Sequence, residues 1–306
     1  MEMEDIPAYT ELFNLAEAHD PEFRRMTPED MTKNIFVKST DTLEGYFVAI
    51  ISGEIIAGGG GFVSHDKAGI GRGHLNFYVL PDFLNSDAEK ETFDKIAMNM
   101  KEMGARFMGT RADTSNVPKT RMLERLGFHP NAYQRHHMER SPHGVPEPLM
   151  PTGYKLRNAR MPEEMPLLLE TLNEAFATRE NIGAFTLDEI SKYTYLHDPE
   201  FLPGLFIAER VGDGRIVGWI GSRIEHVYNL EHGRTRGGSY SLAVIPSARG
   251  KGIGRALMQS SLRWLSEKGM DIAYLSVNHQ NPDALHIYRS LGYELVGIWQ
   301  GYEREL

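Results

Sequence analysis

Apolar positions Ile253, Ala256, Leu257, Trp264 and Leu265 recur at helical spacing, and Gly269 stands where such a helix stops. Around this helix the second half of the chain alternates helical and strand patterns. Tyr154–Arg157 begins a strand, and Met165, Leu168, Leu169, Leu172 and Phe176 predict a helix over 162–177. A second helix is expected around 186–196. Runs 205–210 and 216–224 flank Gly212-Asp213-Gly214, a turn signal that makes them a hairpin. Strands over 239–244 and 272–277, a helix over 283–291 closed by Gly292, and a strand over 294–299 complete the pattern. This order implies an α+β domain, with a mixed, mostly antiparallel sheet flanked by helices. Its one parallel crossover is right-handed by default.

The same plan recurs in the first half. Val79-Leu80-Pro81 answers Val244-Ile245-Pro246, Gly104 answers Gly269, Asn116 answers Asn281, and Leu126-Gly127-Phe128 answers Leu291-Gly292-Tyr293, each at an offset of 165. A constant offset over such a stretch marks duplication of one fold, because chance matches scatter. The first copy begins with a helix pattern near Pro7 and lacks the opening strand. Its apolar window, Tyr46–Val63, reads as a hairpin about Ser52-Gly53, and Gly58–Gly61 within it as a tight hairpin or bulge. Segment 140–152 carries four prolines and no apolar period, as a linker does. The expected division is a first domain over 1–140, a linker over 141–152 and a second domain over 153–306.

Composition narrows the chemistry. The 306 residues hold 33 Lys+Arg against 42 Asp+Glu, a net charge of −9, which gives no general attraction for nucleic acid or an anionic membrane. Cysteine is absent, which excludes a disulfide scaffold, a thiolate metal site and a thiol nucleophile. The start Met1-Glu2-Met3-Glu4-Asp5 is the opposite of a basic signal peptide, and Glu54 interrupts the most apolar window, so a cytoplasmic protein is expected. His136-His137 project to opposite faces of a strand, and no HExxH occurs, so no metal is expected.

The informative stretch runs from Val244 through Arg249-Gly250-Lys251-Gly252-Ile253-Gly254-Arg255, joining a strand to an amphipathic helix. Glycines let a ligand approach the backbone, the helix start favours anions, and three cations within seven residues suit a pyrophosphate. No Gly-Lys is followed by Ser or Thr, and Arg255 stands where a dinucleotide fingerprint needs glycine, so two common phosphate loops are excluded. Arg249-x-x-Gly252-x-Gly254 after a Val-x-Pro strand end resembles the acyl-CoA-binding motif of the GNAT N-acetyltransferase superfamily. Asn281, Tyr288 seven residues later and the closing Leu291-Gly292-Tyr293 resemble that family's second motif.

The resemblance implies a tandem protein with an intact second domain. In it the pyrophosphate of acetyl-CoA lies on the backbone of 250–255, and the pantetheine arm pairs with Leu242, Ala243 and Val244. A backbone N–H near Val244 faces the oxyanion, and Tyr288 acts as general acid. Asn281 holds the pantetheine, caps a helix, or does both. The carboxylate that many relatives place early in the fourth strand is missing from 236–241. Glu225 or His226, at the end of the third strand, and His279 are the candidate bases. The implied reaction moves an acetyl group from acetyl-CoA to a primary amine of a small molecule, by direct attack in a ternary complex. The alternative is a non-catalytic acyl-CoA-binding sensor. At the 165 offset, loop 249–255 becomes Leu84-Asn85-Ser86-Asp87-Ala88-Glu89-Lys90 and Tyr288 becomes Leu123, so the first domain is expected to be a degenerate shell.

Overall fold

The computed structural model describes residues 1–36, 43–66, 68–177, 184–187 and 201–306. They form two compact units. Unit 1 comprises Met1–His136, Asn278–Gln280 and Gly297–Leu306, and unit 2 comprises His137–Val277 and Asn281–Val296.

Unit 1 opens with helices α1 (Ile6–Ala16) and α2 (Pro28–Phe36). Strands β1 (Phe47–Ile51) and β2 (Glu54–His65) are joined by Ser52 and Gly53, both at positive φ (53° and 85°). Such a turn matches the right-handed twist of its strands. The glycines 58–61 form neither a turn nor a bulge, contrary to expectation. They lie inside β2, regularly paired with β3 (Gly71–Val79), and a Cβ on Gly61 would fall 1.8 Å from the His74 carbonyl oxygen. Close approach of a neighbouring backbone, not chain reversal, explains them. Helix α3 (Asp87–Glu102), strand β4 (Ala105–Asp113), helix α4 (Val117–Arg125) and strand β5 (His129–Arg140) follow. Phe77, Phe93, Ile96, Met108 and Phe128 fill the core between α3 and the sheet.

Unit 2 carries β6 (Tyr154–Asn158), α5 (Met165–Phe176), β7 (Phe206–Arg210) and β8 (Ile216–Ile224). Helix α6 (His226–His232), which the apolar pattern did not announce, leads into β9 (Arg236–Val244). Then come α7 (Ile253–Glu267), β10 (Ile272–Asn278), α8 (Pro282–Ser290) and β11 (Glu294–Glu305). Strands β6 to β9 run antiparallel in succession, and β9 pairs β10 in parallel across the α7 crossover. The helix expected over 186–196 lies outside the described residues from 188 onward. Two apolar clusters hold this unit, Leu257, Leu262, Ala273 and Leu275 on the α7 side and Leu168, Phe201, Ile207 and Trp219 on the α5 side.

The units do not follow the division read from the chain. Trp299–Glu305 of β11 pairs with Phe107–Asp113 of β4 and so belongs to unit 1, whereas β5 passes into unit 2 at His137. The proline-rich 141–152 is not a free tether: Val145 and Met150 pack on the unit 2 core, and His143 Nδ1 lies 2.7 Å from Ser266 Oγ.

Candidate active site

The phosphate-loop candidate starts where β9 ends. The turn Pro246–Ala248 leads to Arg249, and Gly250 and Gly252 both take left-handed φ values (73° and 88°). No heavy atom lies within 4 Å of a Cβ built on either, so backbone conformation, not crowding, calls for glycine. The Arg249 N–H closes the turn onto Pro246 O, and the Ala256 N–H starts the helical ladder onto Gly252 O. Between them the amides of 250–255 have no hydrogen-bond partner among the described residues. Six such donors lead into the first turn of a fifteen-residue helix, a geometry that suits an anion.

The three cations frame this loop. Arg249 Nε donates to Val244 O (3.1 Å) and its terminal nitrogen to Ala175 O (2.6 Å), strapping the loop to α5. Lys251 Nζ reaches Tyr154 Oη (3.0 Å) and Ser247 O (3.1 Å), and Arg255 donates to Ser290 Oγ (2.8 Å). Gly254 serves packing: a Cβ there would meet Ile287 at 3.3 Å, so it lets α7 and α8 close together.

The strands beside the loop part as they approach it. β9 and β10 pair only at Arg236–Gly238 and Ile272–Tyr274. β9 also bulges against β8: Tyr240 faces Gly221 and Ala243 faces Trp219, so Ser241 and Leu242 together oppose Ile220. Ser241 has φ 56°, costly for a residue with a Cβ. A bulge re-aims backbone groups, and the parted strands leave edges for an added extended chain. Ala243 is buried, while Leu242 and Val244 are half-buried against the core. Nothing in the apolar pattern signalled the bulge, because Ser241 is an ordinary strand-edge residue by type.

Asn281 caps α8, accepting from the Ala284 N–H at 3.4 Å. Tyr288 is buried in the cluster that also holds Leu242 and Val244 of β9 and Leu275 and Val277 of β10, from both sides of the gap. Its ring meets Tyr293 edge-on at 5.9 Å. Glu225 directly follows the end of β8. It precedes α6, buried, with its carboxylate 2.9 Å from Arg236, itself fully buried between the rings of Tyr228 and Tyr274 and 3.3 Å from Glu139. A carboxylate so paired anchors the start of β9, and the expectation of an open base there is corrected. His226 begins α6, and His279 lies in unit 1 with Nδ1 3.3 Å from Gln134 O. Among the described residues no group of three acidic or histidine side chains is placed to hold a metal ion.

The equivalent corner of unit 1 has lost these features. β2 and β3 pair without a register shift, so the bulge is missing. In place of open amides, the Asn85 N–H donates to Glu89 (2.7 Å), and the same buried carboxylate accepts from Arg125 (3.2 Å). A cavity of 530 Å³ lies there, lined by Asn85, Glu89, Lys90, Phe93, Arg125 and Arg304. Its anion-binding groups are already satisfied by the protein's own carboxylate.

Residues 166–293 match the acetyltransferase (GNAT) family model. The second half of the chain carries a GNAT domain. The match takes in the bulged strand, the glycine loop and α8, and ends on Tyr293. Mycothiol acetyltransferase of Thermomonospora curvata is 33% identical over 155 residues, 50% of this chain and 48% of that protein. The protein of the same name from Thermobifida fusca is 35% identical over 129 residues, 42% of this chain and 39% of that protein. The chain thus matches about half or less of the length of these curated relatives. Both units share the GNAT fold. A GNAT protein from Sphaerobacter thermophilus superposes with a TM-score of 0.70 at 19% identity, over 100% of this chain and 94% of that one. A tandem GNAT protein from the clavulanic acid biosynthesis pathway gives 0.72 at 13%, over 99% and 95%.

Proposed function

We propose that unit 2 is an N-acetyltransferase that takes the acetyl group of acetyl-CoA to a primary amine of a small molecule. The observation that carries this reading is the run of six unpartnered amides at 250–255, set at the end of a bulged strand that has parted from its neighbour. The amides suit the diphosphate, and the parted edge of β9 over Leu242–Val244 suits the extended pantetheine arm. The match of residues 166–293 to the GNAT family model and the partial relatives named as mycothiol acetyltransferases support acyl transfer to an amine.

The reaction is direct attack in a ternary complex. The amine nitrogen bonds to the thioester carbonyl carbon and gives up a proton to water, the C–S bond breaks, and the thiolate takes a proton. Tyr288 is the proposed donor of that proton, and a main-chain N–H near Val244 the proposed donor to the oxyanion. Without cysteine no thioester-linked acyl-enzyme forms on this chain. The ion pairing of Glu225 with Arg236 leaves the amine's proton without an assigned carboxylate acceptor, which is what a non-catalytic acyl-CoA sensor would also show. Release of free CoA thiol, followed over a panel of small primary amines, separates the two. Amine-dependent release establishes the transferase. Binding of acetyl-CoA with no release across the panel establishes the sensor.

A further inference from the structure

The Tyr293 hydroxyl is buried, and among the described residues it makes no hydrogen bond of ordinary geometry. Ser239 lies close enough to lower the phenol's pKa as a hydrogen-bonding neighbour but does not meet hydrogen-bond geometry with it, and the Ser239 hydroxyl pairs with Ser261 Oγ (2.6 Å), which accepts from Ser222 Oγ (2.7 Å). Burial pushes the Tyr293 phenol well above its ordinary value of 10.0, so it stays protonated and able to donate. An unmade bond at a buried hydroxyl is destabilising, and native cores rarely keep one. Phenylalanine would pack here without that cost.

Position supplies the reason. Ser239 is the first β9 residue beyond the stretch paired with β10, so the phenol stands at the fork where the strands begin to part. The glycine loop lies at the other end of β9, past Val244. Val244 lies five residue steps along the strand from Ser239, a span of about 17 Å. A ligand anchored by its phosphates at the loop and threaded back along β9 brings its reactive end toward the fork. Tyr288, edge-on to Tyr293, flanks the same place.

We propose that the Tyr293 hydroxyl donates to the acyl-thioester end of the bound donor, its missing partner arriving with the ligand. This rests on the reading of unit 2 as an acetyl-CoA site and adds a second hydroxyl to the one proposed as acid. The test is Tyr293→Phe, followed by thermal melting with and without acetyl-CoA and by steady-state kinetics. The ligand-free variant is expected to melt about 3 °C above wild type, because an unsatisfied group has been removed. The melting shift produced by acetyl-CoA should shrink, and kcat should fall about tenfold. A hydroxyl with a purely structural bond gives the opposite melting change and leaves the ligand-induced shift intact. Lower ligand-free stability, or wild-type kcat in the variant, overturns the proposal alone. If the wild-type chain itself shows neither an acetyl-CoA shift nor turnover, the underlying reading falls and this proposal with it.

Discussion

Gly252 carries a conformational demand and an open space together. Its φ of 88° belongs to glycine, and no atom lies within 4 Å of the missing Cβ. Gly252→Glu would therefore strain the loop and also set a carboxylate among the amides that await an anion. We expect calorimetry to show acetyl-CoA affinity reduced at least 100-fold, with wild-type affinity ruling out the loop as the phosphate site. Tyr288 makes a different prediction. Its removal as Tyr288→Phe keeps the buried ring and deletes only the proton donor. Turnover should drop about 10- to 100-fold while acetyl-CoA affinity stays within about twofold of wild type. Equal loss in both would make Tyr288 a binding residue. Among the acidic residues, Glu225 shows how context decides chemistry: next to Arg236 it anchors a strand, a role its place in the sequence did not disclose.

At the scale of elements, α5 is fastened to β6 by charge as well as by apolar packing. Arg157 on β6 forms a bidentate pair with Glu164, just ahead of α5 (2.6 and 2.9 Å), and the Arg160 N–H adds a third bond at 2.7 Å. Hydrogen bonding from Arg157 holds the Glu164 carboxyl at about 2, against an ordinary 4.5. A folded-state value below the unfolded one contributes stability that is present above about pH 4.5 and lost as pH falls toward 2. The loss is on the order of 3 kcal/mol. Glu164→Gln should remove most of this contribution at neutral pH and flatten the acid limb of the stability curve. Denaturant titrations between pH 2 and 7 check it, and an unchanged acid slope would refute the role of this carboxylate. The loop of α7 needs no such charge pairing: left-handed glycines and a strapped Arg249 hold it open.

For the whole molecule, the two copies of one plan have diverged in what they can hold. Unit 2 keeps the bulge and open amides, and unit 1 has a regular β2–β3 ladder and satisfies its corner with Glu89. Calorimetry should therefore report one acetyl-CoA per chain, and a stoichiometry of two would overturn the assignment of unit 1 as a shell. The helices and strands were legible in advance because period 3.6, period 2 and stop glycines are local properties, and Asn116 and Asn281 cap their helices as their shared offset suggested. The glycine loop was legible for the same reason, since its residues and their partner helix are contiguous. Helix α6 was missed because its pattern is short, and the buried Glu225–Arg236 pair because ten residues, α6 among them, separate its members.

Sequence alone thus determined the order of elements, the duplication, the glycine loop before α7 and the absence of thiol chemistry. Pairing was decided only in three dimensions. β5 and β11 are twelve-residue copies at one offset, and no local property says that residues 297–306 complete unit 1. The fork between β9 and β10, the turn of Ser241 into a left-handed conformation and the unpartnered Tyr293 hydroxyl likewise depend on neighbours distant along the chain. Strand partners and buried hydrogen bonds are long-range choices, and periodicity carries no record of them.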